Sequence, residues 1–371
     1  MHIVEITAAS LRFADAVPEA APADGFVWVY LSRADLATHT AALQRAAQRL
    51  GGSALLDVHL ADLASESHPS DYDATSVYDI VIFRRLATLA EVRQGGATAD
   101  PMLPAHEVFA RIIDSRPVGF AVFDKLLISV HPPGCETALA YIQRFLADAR
   151  LGVDAAGGRN RAPQSPADLV LRMVNAMVDS YLDLRKELTS ALEQVQHELL
   201  SLKPSAAAWS AVIHERRRLH VLQDLCEEQH DALQEWLDTL RELPPSAYAP
   251  EAALAQSRRD QIVARARDVI EHIDRVRQHA RRMEQAAETA VQLHFSAQGQ
   301  RTNDIMRTLT AVTAIFLPLN LFTGFFGMNF EHLPLIHSTE GMWVALALLV
   351  LLAAGILVWF WRQRYITRSR R

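Results

Sequence analysis

The chain has 371 residues, half of them hydrophobic, and a formal net charge of −6 at pH 7. A negative chain of this kind argues against nucleic acid as the main partner and is compatible with divalent cations. Its two cysteines, Cys135 and Cys226, lie far apart, so the sequence indicates neither a disulfide framework nor a cysteine-based zinc site.

The first part of the chain, residues 1–160, is predicted to be a small α/β domain. Its apolar segments predict strands at 26–31 and 78–86, a helix at 36–50, and a hairpin formed by 118–123 and 126–130. A glycine- and proline-containing stretch, 151–166, is typical of a linker. Residues 1–10 lack the features of a secretory signal, so we expect this domain to lie in the cytoplasm.

Everything after residue 160 is predicted to be helical. Residues 161–250 favour a cytoplasmic helical hairpin, with a first helix capped by Ser165 or Asp168 and reaching about Leu202, and a second running from Pro204 to about Leu243. No proline interrupts residues 251–317, which predicts one helix with a rise of about 100 Å. Its cytoplasmic part, 251–307, is a stalk leading to the membrane.

Apolar residues recur along the stalk at alternating spacings of three and four. They are Ile262, Ala266, Val269, Ile273, Val276, Ala280, Met283, Ala287 and Ala290. This spacing is typical of a helix packed lengthwise on other helices. The periodicity fits a seam between subunits and a plain intramolecular bundle equally well.

Two uncharged runs near the C-terminus are each long enough to cross a hydrocarbon core of roughly 30 Å. They predict a transmembrane helix at 308–327, a loop at 328–341 and a second transmembrane helix at 342–361. Arg301 and Arg307 precede the first span and a basic tail, 362–371, follows the second, whereas the loop has no Lys or Arg. The positive-inside rule therefore predicts that both termini are cytoplasmic and the loop external.

One face of the first span carries polar or small residues with two hydrophobic interruptions. Its members are Asn303, Met306, Thr310, Thr313, Leu317, Asn320 and Gly324. An amide such as Asn320 in hydrocarbon must find a hydrogen-bond partner or face a water-filled path, so helix–helix contact and a pore are both open interpretations. Two spans cannot enclose a pore, and a pore therefore requires an oligomer. In that pore Met306 and Leu317 are candidate constrictions that gate by dewetting.

Three motifs follow one another around this span: Thr302-Asn303-Asp304-Ile305-Met306, Phe316-Leu317-Pro318-Leu319 and Gly327-Met328-Asn329-Phe330-Glu331. They resemble the CorA family of divalent-cation transporters, whose signature is Gly-Met-Asn after a first span. The resemblance is continuous over about 267–334 and only pattern-level in the N-terminal domain.

The resemblance implies a funnel-shaped homopentamer in the inner membrane, with the stalk helix continuing into a pore-lining first span. The stalk seam would then lie between subunits. Gly327, Met328 and Asn329 would form the external mouth, with Glu331 as its carboxylate. The pore-facing set that the resemblance implies has Leu309 where the pattern of residues alone selects Thr310. A ring of neutral amide oxygens suits Mg²⁺, because this ion gives up its waters reluctantly.

Asp268 matches the stalk aspartate of the family's metal-sensing site. Cytoplasmic Mg²⁺ held between Asp268 and acidic groups of a neighbouring subunit would close the pore, with Asp79 or Glu91 as candidate partners. Without the resemblance, a solvated stalk carboxylate is the simpler interpretation.

The cargo favoured by the sequence is Mg²⁺, and Co²⁺, Ni²⁺ and Zn²⁺ remain alternatives. His332 and His337 in the loop add imidazoles, which suit these softer ions. The first span is also similar to the zinc-transporting ZntB branch. The alternative within this class is therefore a zinc transporter, either with or without coupling to protons.

Other classes of function receive less support. No Walker loop, Rossmann fingerprint or His-Glu-x-x-His motif occurs, so the chain is not expected to be an enzyme. His131 and Cys135 share a loop, but two ligands without a third do not predict a metal site. A membrane-anchored sensor or scaffold that conducts no ions is the alternative from a different class.

Overall fold

The computed structural model describes residues 1–7, 10–87, 114–135, 143, 163–199, 206–242, 252–328 and 339–362. The chain forms two compact units, Met1–Glu288 and Thr289–Arg371, and the boundary between them falls inside the longest helix. The strands are β1 (His2–Thr7), β2 (Leu11–Ala14), β3 (Gly25–Ser32), β4 (Asp71–Ala74), β5 (Asp79–Leu86), β6 (Ser115–Val122) and β7 (Leu126–His131). The helices are α1 (Leu36–Ala46), α2 (Asp57–Ala64), α3 (Pro166–Asp179), α4 (Tyr181–Leu199), α5 (Ala206–Glu242), α6 (Ala252–Phe326) and α7 (Thr339–Arg362).

The first unit contains a seven-stranded mixed sheet in the order β2-β1-β3-β7-β6-β5-β4. Among the described strands, only the β3–β7 pair is parallel. The α/β domain and the predicted β6–β7 hairpin are confirmed. The strands β1, β2 and β4 were not predicted, because two of them are only four residues long and none forms a long apolar run.

Strand β3 shows why this sheet is buried on both faces. Its odd and even side chains alternate between two apolar clusters, with Trp28 and Tyr30 in one and Val27 and Val29 in the other. Helices α1 and α2 contribute to the second cluster, and the long helices contribute to the first. A strand covered on both faces reads as a continuous apolar run, which is why β3 could be predicted.

The predicted hairpin of residues 161–250 contains one more helix than expected within its described parts, 163–199 and 206–242. The first helix ends at Asp179, and α4 begins at Tyr181. Of the two predicted caps, Ser165 is the one used, because its Oγ accepts from the Asp168 backbone N–H at 3.2 Å. The Asp168 carboxylate instead pairs with Arg172 at 3.0 Å and with Arg265 of α6 at 2.8 Å.

The stalk seam packs within a single chain. Val269 and Ile273 are fully buried and belong to the same apolar cluster as residues of α3, α4 and α5. Polar contacts also join α6 to its neighbours. Thr189 Oγ1 of α4 lies 3.1 Å from His279 Nε2, and Gln223 Nε2 of α5 donates to Glu284 Oε2 at 3.0 Å. The expectation of a seam between subunits was therefore wrong: the chain's own helices cover these residues.

The second unit contains the C-terminal part of α6 and the helix α7. Both helices are long and apolar enough to cross a membrane, and only 6% of the residues in the most apolar stretch of each are buried. Pro318 lies inside α6, and the helix continues past it to Phe326.

Candidate functional site

Helix α7 has the composition of a membrane span with marked ends. Its residues 344–358 are all aliphatic or glycine, and the exposed Trp343 and Trp359 bracket them. These two indoles are separated by a rise of about 24 Å. Tryptophan is enriched at both membrane–water interfaces, so the spacing fits a helix that crosses the hydrocarbon core.

The predicted pore-lining residues all lie on α6 and are all exposed in the single chain. They are Asn303, Met306, Leu309, Thr310, Thr313, Leu317, Asn320 and Gly324. Neighbours outside this set, such as Ile305 and Leu321, are exposed as well. Exposure in one chain therefore does not decide between Leu309 and Thr310, nor between a pore-facing and a lipid-facing side.

Two threonines of the set use their hydroxyl protons within the helix. Thr310 Oγ1 donates to the Met306 carbonyl at 2.8 Å, and Thr313 Oγ1 donates to the Leu309 carbonyl at 2.9 Å. A hydroxyl that donates to the preceding turn keeps its lone pairs as acceptors. These side chains therefore present oxygen acceptors on the surface of α6.

A groove runs along the same part of α6. It has a volume of about 350 Å³ and is lined by Leu309, Thr310, Thr313, Ala314, Leu317 and Pro318. Sequence analysis missed the contribution of Ala314 and Pro318. The available signal was the proline itself, since a proline inside an apolar run removes one helical hydrogen bond.

The predicted mouth begins where α6 ends. The Gly327 N–H donates to the Thr323 carbonyl at 2.9 Å, and a Cβ at this position would lie 3.1 Å from that oxygen. A side chain at residue 327 would therefore crowd the helix end. Met328 follows it and is exposed, whereas Asn329 and Glu331 lie outside the described residues.

The predicted sensor residue Asp268 is exposed on α6, where its Oδ1 lies 3.8 Å from Nε2 of His272. The two carboxylate oxygens of Asp79, a candidate partner, are engaged within the chain. They accept from Tyr72 OH at 3.3 Å and from Trp236 Nε1 at 3.2 Å, and burial raises the pKa of this carboxyl. Asp79 thus joins the sheet to α5, and the other candidate, Glu91, lies outside the described residues.

His131 and Cys135 lie close together, with Nδ1 and Sγ 4.0 Å apart. His131 Nε2 lies 2.9 Å from Ser129 Oγ, which accepts from Trp28 Nε1 at 2.8 Å. Burial is the main cause that lowers the pKa of His131 to about 3, and the positive charges of Arg85 and Arg33 contribute to the same shift. Among the described residues, no three His, Cys, Asp or Glu side chains are grouped so that they hold a metal ion.

Comparison with known proteins places these features in one family. The family model described as "CorA-like Mg2+ transporter protein" matches residues 24–364. The cobalt/magnesium transport protein CorA of Thermotoga maritima is 24% identical over 198 residues, 53% of this chain and 52% of that protein. The cobalt/magnesium transport protein CorA of Methanocaldococcus jannaschii is 38% identical over 72 residues, 19% of this chain and 23% of that protein. The match with the first of these relatives thus spans about half of its length.

The fold agrees with a solved structure over nearly the whole chain. The complete structure of the CorA magnesium transporter from M. jannaschii aligns with a TM-score of 0.66 at 15% identity and covers 98% of both chains. A sheet-containing soluble unit, a long helix that enters an apolar region and a second apolar helix define a membrane protein. Because the family model covers most of its length, the chain belongs to the CorA-like Mg²⁺ transporter family.

Proposed function

We propose that this chain is one subunit of a homopentamer that carries divalent cations, with Mg²⁺ as the main cargo and Co²⁺ or Ni²⁺ as secondary ones. The observation that carries the proposal is the family match over residues 24–364, together with Gly327-Met328-Asn329 directly after the apolar end of α6. The funnel-shaped assembly places α6 of each copy around a central axis, with α7 on the lipid side.

Each part of the pathway has a physical task. The amide oxygens of Asn329 bind the hydrated ion at the external mouth, and the Glu331 carboxylate attracts it. Exposed side chains of α6 line the path, in which Met306 and Leu317 form hydrophobic constrictions that close by dewetting. A membrane potential of about 100 mV supplies about 5 kcal/mol for a doubly charged ion, so uptake needs no chemical energy source.

The proposed arrangement of the chain follows the charges. Residues 1–160, 161–250 and 251–307 form the cytoplasmic domain, helical layer and stalk. Residues 308–327 and 342–361 cross the inner membrane, and 328–341 is external. Both termini, including the basic tail 362–371, are cytoplasmic because arginines flank the spans on that side.

Flux into proteoliposomes tests the transport proposal. We expect Mg²⁺ influx by the native protein and about a tenfold lower influx for Asn329→Ala, a loss of about 1.4 kcal/mol of stabilisation for the ion at the mouth. The control Ser338→Ala truncates another polar residue of the same loop and should leave influx unchanged. Faster Zn²⁺ than Mg²⁺ influx would support the zinc alternative. No influx of either ion through folded oligomers, with internal cations chelated, would support the anchored sensor or scaffold.

We further propose that Asp268 senses cytoplasmic Mg²⁺ and that the bound ion closes the pathway. Its carboxylate is mostly exposed on α6, which suits a hard cation that keeps part of its water shell. Loss of the ion would leave like charges of neighbouring subunits to repel one another.

Inhibition of influx by internal Mg²⁺ tests this sensor. We expect Asp268→Ala to raise the half-inhibiting Mg²⁺ concentration about tenfold. Glu271→Ala is the matched control, because Glu271 is an equally exposed acid one turn away that pairs with Arg275. If both variants retain native inhibition, Asp268 is only a solvated carboxylate.

A further inference from the structure

We propose that Pro318 releases the backbone carbonyl of Ala314, and that this oxygen joins the hydroxyl oxygens of Thr310 and Thr313 in a polar step that favours hydrated cations within the span. The inference rests on the proposed function, since it adds a second selective position to the same pathway. We call these three oxygens the acceptor step.

The missing donor follows from the chemistry of proline. In an α-helix the N–H of each residue donates to the carbonyl four residues earlier. Pro318 has no N–H, so the Ala314 carbonyl lacks its usual helical donor. A carbonyl without a donor is costly in a hydrocarbon environment, and some other group must supply the hydrogen bond.

The nearby threonines do not supply that hydrogen bond. Threonine side chains often satisfy backbone groups that a proline has freed in a membrane helix. Here the hydroxyls of Thr310 and Thr313 donate to the carbonyls of Met306 and Leu309. Each hydroxyl has one proton, so both threonines add acceptors to the groove and no donor.

The second span has no donor to offer at this depth. Residues 344–358 of α7 are aliphatic or glycine, and their backbone N–H groups are used within the helix. Lipid chains carry no donors either. Among the chain's own described groups, lipid and water, only water supplies a donor to the acceptor step, so we assign the step to the side of α6 that faces an aqueous path.

The groove provides room for ordered water beside the acceptor step. A bound water needs a space of only ~10–15 Å³ and two to four polar partners. The groove volume is about 350 Å³. Several waters can therefore lie between the acceptor step and an ion that keeps its first shell.

The oxygen acceptors of the acceptor step favour hydrated cations over hydrated anions. Waters around a cation turn their hydrogens outward, where oxygen acceptors can receive them, whereas waters around an anion turn their oxygens outward and need donors. The acceptor step presents oxygens alone. Leu309 and Leu317, which also line the groove, have no polar atoms on their side chains that replace the waters of the ion.

Mg²⁺ influx into proteoliposomes holding the full-length protein tests the step. Pro318→Ala restores the N–H and should lower influx about tenfold, because the Ala314 carbonyl regains its helical donor. Replacing Pro318 with lactic acid by nonsense suppression removes the ring but still supplies no N–H, and it should keep influx within about twofold of native. Thr313→Val should lower influx several-fold. Its control is Thr308→Val, which loses a hydroxyl that donates to the Asp304 carbonyl at 2.9 Å, outside the groove.

Three results of these experiments would overturn the inference, and a fourth would contradict the proposed function instead. Native influx in Pro318→Ala would overturn it, and so would an equal loss in the alanine and lactic acid variants, since the ring and not the carbonyl would then matter. If Pro318→Ala does not reconstitute as folded oligomers, equal influx in Thr313→Val and Thr308→Val would overturn it. An absence of influx in the native protein would instead contradict the proposed function, so the two failures are distinguishable.

Discussion

A full-length protein carrying Ile273→Asp will not fold its first unit, residues 1–288. Ile273 is fully buried in the cluster that joins α6 to α3, α4 and α5 of the same chain. An unpaired carboxylate at such a position costs several kcal/mol, a cost comparable with the whole stability of a typical domain, about 5–15 kcal/mol. The effect should appear in every subunit, whatever its state of assembly.

Near-UV circular dichroism and resistance to trypsin, both in detergent, measure this loss. The matched control is Gln278→Asp, which adds the same charge to an exposed position on the same helix and should retain the native signal. If Ile273→Asp kept a native near-UV spectrum and only dissociated into monomers, the seam would lie between subunits after all.

Acid will destabilise the first unit through His131. The pKa of this side chain is lowered to about 3 by burial and by Arg85 and Arg33, against about 6.5 in an unfolded chain. A histidine with a lowered folded pKa stabilises the fold fully above the unfolded pKa, and that contribution is lost as pH falls from about 6.5 towards 3. At about 1.36 kcal/mol per pKa unit, the free energy of unfolding should fall by about 4 to 5 kcal/mol across this range.

The contribution of His131 is isolated by comparison with His131→Gln. Glutamine does not titrate, and its amide can still bond to Ser129. Urea unfolding of both proteins, followed by the fluorescence of buried tryptophans, should show a flatter dependence on pH for the variant between about 6.5 and 3. Parallel pH profiles would contradict a buried neutral imidazole at this position.

The sheet shows which elements can be predicted from sequence. β3, β5, β6 and β7 have mostly buried side chains on both faces and therefore appear as long apolar runs. β2 has no buried residue and β4 has one, so their apolar pattern is too weak to predict a strand. Their pairing with β1 and β5 depends on contacts distant in sequence, which periodicity does not contain.

The stalk seam and Asp79 show that a sequence pattern can identify a residue without identifying the group that the residue contacts. Spacings of three and four identify the buried face of α6, but they do not say whether that face meets its own chain or another copy. Likewise, an aspartate at a strand end has the same sequence signal whether it meets a metal or an indole. Only the fold brings Trp236 to within 3.2 Å of Asp79.

By itself, the sequence determined the two apolar spans, the Gly327-Met328-Asn329 signature and hence the family, and its charges predict the orientation of the spans. These features depend on composition and short-range order, which a linear chain displays directly. The tertiary structure decided that the stalk seam packs within one chain and that Asp79 is engaged with α5. It also showed that Thr310, Thr313, Ala314 and Pro318 share one groove on α6. These outcomes depend on which surfaces meet in space, because packing and hydrogen bonding join residues that the sequence keeps far apart or leaves without a visible partner.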